Sequence, residues 1–160
     1  MKKILVLNGP NLNLLGTREP EQYGHTTLDD VHTLCANTAR DLGYEVECFQ
    51  SNWEGALIDK IHEYGQLYKQ GLALGCVFNP GALTHTSIAL HDAIKGVSPF
   101  PVVECHISNV HAREAFRQHS WVSPAAAGIV VGFGVDGYAI ALQGLVPVSY
   151  THLTLPTNRE

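Results

Sequence analysis

The chain has 160 residues, one ordinary domain's worth, able to bury roughly 68–70% of its unfolded surface without disulfides or a structural metal. With 45% hydrophobic residues, 16% charged residues and 15 glycines it falls among globular domains and outside the disordered and fibrous classes. A formal charge of -5, with ten lysines and arginines that form no run, argues against a nucleic-acid partner, which calls for a basic face.

The opening MKKILVLNGP has two lysines and then only four apolar residues before Asn8, so it lacks the apolar core of a secretory signal. No stretch approaches the ~20 apolar residues that span a bilayer, so no membrane partner is expected. Cys35, Cys48, Cys76 and Cys105 lie far apart with no C-x-x-C pair, which reads as reduced, mostly buried thiols in a cytoplasmic protein.

Along the chain, five apolar runs alternate with helical patterns: Ile4–Leu7, Val46–Phe49, Leu72–Phe78, Pro101–Ile107 and Gly128–Phe133. Several runs are continuous, as expected of parallel strands covered by helices on both faces. Between the first two, Leu28, Val31, Cys35, Thr38 and Leu42 recur at helical spacing. Thr27 serves as N-cap, Asp30 follows three residues later, and Gly43 stops the helix. After the second run, Ser51 and Glu54 have capping-box spacing, and Leu57, Ile58, Ile61, Tyr64 and Tyr68 form a stripe ending at Gly71. Further helices are expected at about Thr84 to Lys95, Asn109 to His119 and Asp136 to Leu145. The pattern predicts a doubly wound five-stranded parallel sheet in the flavodoxin-like order 2-1-3-4-5. One catalytic domain over residues 1–148 is expected. The final SYTHLTLPTNRE, residues 149–160, shows neither helical periodicity nor a strand pattern and reads as tag or read-through sequence, or as a short docked tail.

Ligands of such sheets bind beyond the strands' carboxyl ends, here Asn8–Asn13, Ser51–Asn52, Asn79–His85 and His106–Asn109. The Asn8–Asn13 turn offers amides and backbone N–H groups, although Asn, Gly and Pro are also ordinary turn residues. With neither G-x-x-x-x-G-K-[ST] nor G-x-G-x-x-G, phosphate-loop and dinucleotide sites gain no support. Arg18, Glu19, Pro20 and Tyr23-Gly24-His25 form a polar segment suited to a lid. A phenol is a poor base at neutral pH unless a nearby guanidinium stabilises the phenolate, which Arg18 can do for Tyr23. Asn79 and His85 fall on the crevice rim, where Thr84 or Ser87 could equally cap a helix.

The stretch from Glu104 to Arg117 carries the most information. Glu104 and His106 alternate on a strand and can share a face, so the carboxylate can fix the imidazole's tautomer and make it a general acid. The amides of Ile107 and Ser108 fall at a predicted helix start, where an anion is favoured. Arg113 and Arg117, four apart, are expected on one helix face, a mildly unfavourable pair unless an anion or an acid lies between them. No H-E-x-x-H and no paired C-x-x-C supports a metal site.

NGPNLNLLGTREPEQYG, QSNWEG, NPGALTHTS and ECHISNVHAREAFR, in this order and spacing, closely resemble the type II 3-dehydroquinate dehydratases from about Ile4 to Leu145. The resemblance implies anti elimination of water from 3-dehydroquinate through an enolate, in the shikimate pathway or in quinate use, with no cofactor, no metal and no Schiff-base lysine. It implies Tyr23 as the base at C2, Arg18 as the group keeping Tyr23 ionised, and His106 as the acid at the departing C1 hydroxyl. Asn11 would hold a water against the enolate, and Glu104 would orient His106. Ile107 and Ser108 would hold the substrate carboxylate, and Asn79, His85 and Arg117 the ring hydroxyls, with Arg113 closing the basic side. Asp92 resembles a contact from a neighbouring subunit, implying a homo-oligomer built on trimers, commonly a dodecamer. His91 stands where many relatives have Arg, and the tail also departs from the family pattern. The rival readings are a flavodoxin-like domain that binds a phosphorylated molecule or flavin without this activity, and an assembly protein that has lost it.

Overall fold

Parallel pairing brings five short strands into one sheet: β1 Lys3–Asn8, β2 Glu45–Gln50, β3 Ala73–Asn79, β4 Val102–His106 and β5 Gly128–Val131, in the spatial order β2-β1-β3-β4-β5. The computed structural model describes residues 1–17 and 25–154. All seven residues of β3 and all five of β4 are buried, which is why these runs read as continuous rather than alternating apolar segments. Among the described residues, four α-helices cover the sheet: α1 Leu28–Leu42, α2 Glu54–Lys69, α3 Ile88–Gly96 and α4 Asp136–Thr154. On one face α1 and α4 enclose Ile4, Val6, Val77 and Cys105 with Val31, Cys35, Tyr138, Leu142 and Leu145. On the other, α2 and α3 cover Leu5, Leu7, Cys76 and Phe78 with Leu57, Ile61, Tyr64 and Leu90. Each such aliphatic or aromatic side chain contributes about 1.5–3 kcal/mol on leaving water. No helix among the described residues is long and apolar enough to cross a membrane.

α1 starts as its sequence dictates: Thr27 Oγ1 accepts from the Asp30 amide at 3.2 Å, and the Asp30 carboxylate accepts from the Thr27 amide at 3.0 Å. Gly43, at φ 94°, ends it. α2 departs from expectation. Trp53 is its N-cap residue and supplies no side-chain cap. Ser51 Oγ instead accepts from the Trp53 amide at 3.0 Å, and Glu54 turns away to accept from the Ser87 hydroxyl. Ser87 in turn caps α3, which therefore begins at Ile88 rather than near Thr84, and residues 81–85 form a 3-10 turn.

Two further expectations are corrected. Residues 109–119 are not an α-helix but two 3-10 turns, Val110–Ala112 and Ala115–Arg117, with extended backbone at Arg113. The Asn109 side chain accepts from the His111 amide at 3.1 Å, a local bond that competes with helix formation. Beyond it, backbone groups of residues 119 and 121 are taken by Thr84, His85 and His91 rather than by a helical ladder. The last helix, in contrast, passes Leu145 and runs to Thr154, so residues 149–154 are helical. Pro147 lies inside this helix on its exposed side.

Candidate active site

Every strand register converges on one polar edge. Asn8 pairs with Gln50 on one side and Asn79 on the other, and Phe78 pairs with Glu104, which places His106 one pleat beyond. The loops leaving β1 and β3 meet backbone to backbone. A Cβ on Gly9 would sit 2.4 Å from the Pro80 carbonyl oxygen, and one on Gly81, at φ 61°, would sit 3.0 Å from that of Pro10. Only glycine permits the first approach, so NGPN and NPG form a single interlocked rim. Asn11 sits at φ 72° in the left-handed region that Asn tolerates, and its amide donates to Asn52 Oδ1 at 3.0 Å. The Gln50 amide links this corner to the Gly9 carbonyl and to Asn52, both at 3.1 Å.

Between these loops lies a cleft of about 140 Å³ lined by Asn11, Asn79, His85, His106, Ile107, Ser108, Arg113 and Arg117, with Leu12, Leu15 and Val110 as its apolar wall. Of the residues expected at the site, these eight are therefore brought together. Glu104 lies behind His106 at 1% exposure, and Asp92 is exposed on α3, outside the lining. Arg18 and Tyr23 lie outside the described residues, as does most of the Arg18–His25 segment expected to form a lid.

His106 Nε2 approaches Glu104 Oε2 at 2.5 Å, so the two side chains share a face as strand alternation requires. Burial pushes the Glu104 carboxyl up, but hydrogen bonds from His106, Ser123 and Thr84 outweigh it and hold the group at about 2. An ionised carboxylate only accepts, so Nε2 carries the hydrogen and Nδ1 is the imidazole nitrogen left for the cleft. The His85 ring stacks 6.5 Å away with its Nδ1 on the His119 carbonyl at 2.8 Å. Burial lowers its pKa, so His85 favours the neutral form beside His106.

The arginines are held differently from the helical prediction. Arg113 Nη1 donates to Ser108 Oγ at 3.3 Å, and Glu114, not a shared helix face, joins the pair: its Oε1 lies 3.9 Å from Arg113 Nε and accepts from Arg117 Nε at 2.8 Å. The amides of Ile107 and Ser108 likewise open onto a 3-10 turn, without the dipole of a long helix behind them. Asn79 is buried: its Nδ2 donates to the Tyr138 hydroxyl at 2.9 Å and its Oδ1 accepts from the Gly81 amide at 3.0 Å. With one hydrogen of the amide nitrogen used inside, one remains for a ligand.

Sequence reasoning did not single out Tyr138, Ser120 or Ser123. Tyr138, fully buried on α4, donates to Asn8 Oδ1 at 2.5 Å beneath the cleft floor. Ser120 and Ser123 both donate to Glu104. Isolated hydroxyls in a loop carry no spacing signal that would have marked them. Among the described residues no group of three or more His, Cys, Asp or Glu could hold a metal ion. The four free thiols lie away from the cleft lining, and burial raises Cys105 to about 12.

Fold and cleft together define a doubly wound α/β protein with acid–base and cationic groups gathered at the carboxyl ends of its strands. The chain belongs to the dehydroquinase class II family, whose model it matches over residues 2–146. It is 68% identical over 146 residues to the 3-dehydroquinate dehydratase of Marinomonas sp. (strain MWYL1), covering 91% of this chain and 97% of that one. It is 67% identical over 147 residues to the 3-dehydroquinate dehydratase of Variovorax paradoxus (strain S110), covering 92% and 100%. Its fold matches the crystal structure of the type II dehydroquinase from Butyrivibrio crossotus with a TM-score of 0.85 at 46% identity, covering 91% and 97%. These likenesses disfavour the flavin- or phosphate-binding alternative.

Proposed function

We propose that this chain dehydrates 3-dehydroquinate to 3-dehydroshikimate by anti elimination, as the printed names of its relatives and the chemistry of its cleft both support. The observation that carries the reading is the buried Glu104–His106 pair at a cleft with two arginines. In this reading the Tyr23 phenolate, kept ionised by Arg18, takes the proton at C2 and leaves an enolate. The enolate then expels the C1 hydroxyl, which departs as water with the proton that the imidazolium form of His106 carries on Nδ1, leaving a neutral imidazole with its hydrogen on Nε2. Asn11 holds a water against the enolate oxygen, and Glu104 keeps the imidazole's Nε2 hydrogen turned inward. Ile107 and Ser108 hold the substrate carboxylate. Asn79, His85 and Arg117 meet the ring hydroxyls, and Arg113 adds charge on the same side. Asp92, exposed on α3, reaches the cleft of a neighbouring subunit in a trimer, four of which make a dodecamer. The reducing cytoplasm suits the four free thiols.

The test is ultraviolet absorbance on purified protein with 3-dehydroquinate, following the conjugated enone of the product, with and without borohydride. Turnover that survives borohydride and falls by about 10²–10⁴ in each of Tyr23→Phe and His106→Ala is expected. Unchanged turnover in either variant would refute the assigned roles.

A further inference from the structure

The Glu104 carboxylate accepts four hydrogen bonds, and most of its partners come from outside the cleft. Oε2 accepts from Thr84 Oγ1 at 2.6 Å, from Ser120 Oγ at 3.0 Å and from His106 Nε2 at 2.5 Å, while Oε1 accepts from Ser123 Oγ. Thr84 belongs to the 3-10 turn that carries His85, and Ser120 and Ser123 lie beyond the segment that carries Arg113 and Arg117. Ser120 Oγ also accepts from the amides of Val122 and Ser123, at 3.1 and 3.0 Å, which leaves its single hydrogen for donation. The Trp121 amide donates to the Thr84 carbonyl at 2.8 Å, so the two loops are stitched together around the carboxylate.

A carboxylate turns easily about its last side-chain torsion, which is broad and roughly two-fold. Donors on both oxygens, arriving from two loops, remove that freedom. The plane of the carboxylate then fixes the plane of the imidazole, and with it the direction of Nδ1. Resting on the dehydratase reading, we propose that Thr84, Ser120 and Ser123 are positioning residues that act through Glu104 to aim His106. They touch no substrate. Their effect belongs to the chemical step, whereas Asn79, His85, Arg113 and Arg117 belong to binding.

Ser123→Ala, Ser123→Thr and Thr84→Val, each alone and in a Glu104→Gln background, provide the test, with folding checked by circular dichroism. Ser123→Ala and Thr84→Val are expected to lower kcat by roughly tenfold or more with KM within about twofold. Ser123→Thr, which restores a hydroxyl, is expected to recover most of that loss, and Ser123→Ala is expected to add nothing once Glu104 is Gln. A second readout needs no turnover: the downfield proton resonance of the His106 Nε2–H is expected to shift or broaden in Ser123→Ala. Unchanged kcat, equal losses in both backgrounds, or an unmoved resonance would overturn the proposal. Absence of turnover in the unsubstituted protein would refute the dehydratase reading instead, and the resonance would then decide whether the hydroxyls aim His106.

Discussion

Replacing Glu104 by Gln removes a buried charge from a site built to receive one, and its cost can be worked out. The folded carboxyl titrates at about 2 against an ordinary value of 4.5, a gap that at 1.36 kcal/mol per pH unit corresponds to about 3 kcal/mol of stability at neutral pH. Because the folded state binds the proton more weakly than the unfolded state, this contribution is complete above 4.5 and disappears as pH falls through about 2. At pH 3 about 2 kcal/mol of it is already lost. Gln cannot titrate, so other carboxyls cancel when the two proteins are compared. Urea unfolding of both, at equal protein concentration at pH 7 and pH 3, should show a gap of about 3 kcal/mol that shrinks by about 2. A gap of equal size at both pH values would refute the claim that Glu104 is held ionised by its donors.

Tyr138→Phe keeps the ring but leaves Asn8 Oδ1 and Asn79 Nδ2 without their buried hydroxyl. A loss of about 1–3 kcal/mol is expected, read as a drop of about 2–4 °C in Tm per kcal/mol, and an unchanged melting curve would count against the network. Gly9→Ala forces a Cβ toward the Pro80 carbonyl oxygen, so the two rim loops must part. It is expected to destabilise by about 1–3 kcal/mol and to weaken substrate binding, and full stability with unaltered KM would show that the rim yields freely.

What the sequence disclosed was local or periodic. The capping box of Thr27 and Asp30, the continuous apolar runs of β3 and β4 and the alternation of Glu104 with His106 depend on neighbours within a few residues, and each took its expected form. The failures share a cause. Over residues 109–119, where a helix was expected, Thr84, His85 and His91 claim backbone groups at and just beyond its end, and no local pattern reports such competitors. Glu54 looked like a capping residue and is instead bonded to Ser87, thirty-odd positions away. The roles of Thr84, Ser120 and Ser123 were illegible for the same reason: a hydroxyl becomes meaningful only when the fold sets a carboxylate beside it.

The position of α4 also constrains how the protein is made. Its Tyr138, Ala141, Leu142 and Leu145 are wholly buried against Ile4, Val6 and Val77, residues translated at the beginning and middle of the chain. Until those turns leave the ribosome, α1 alone covers this face of the sheet and Asn8 and Asn79 lack the hydroxyl beneath them. A nascent chain halted before Asp136 holds nearly every cleft side chain and still presents a half-covered apolar face, which makes it a substrate for chaperones and proteases rather than an early, partly working enzyme.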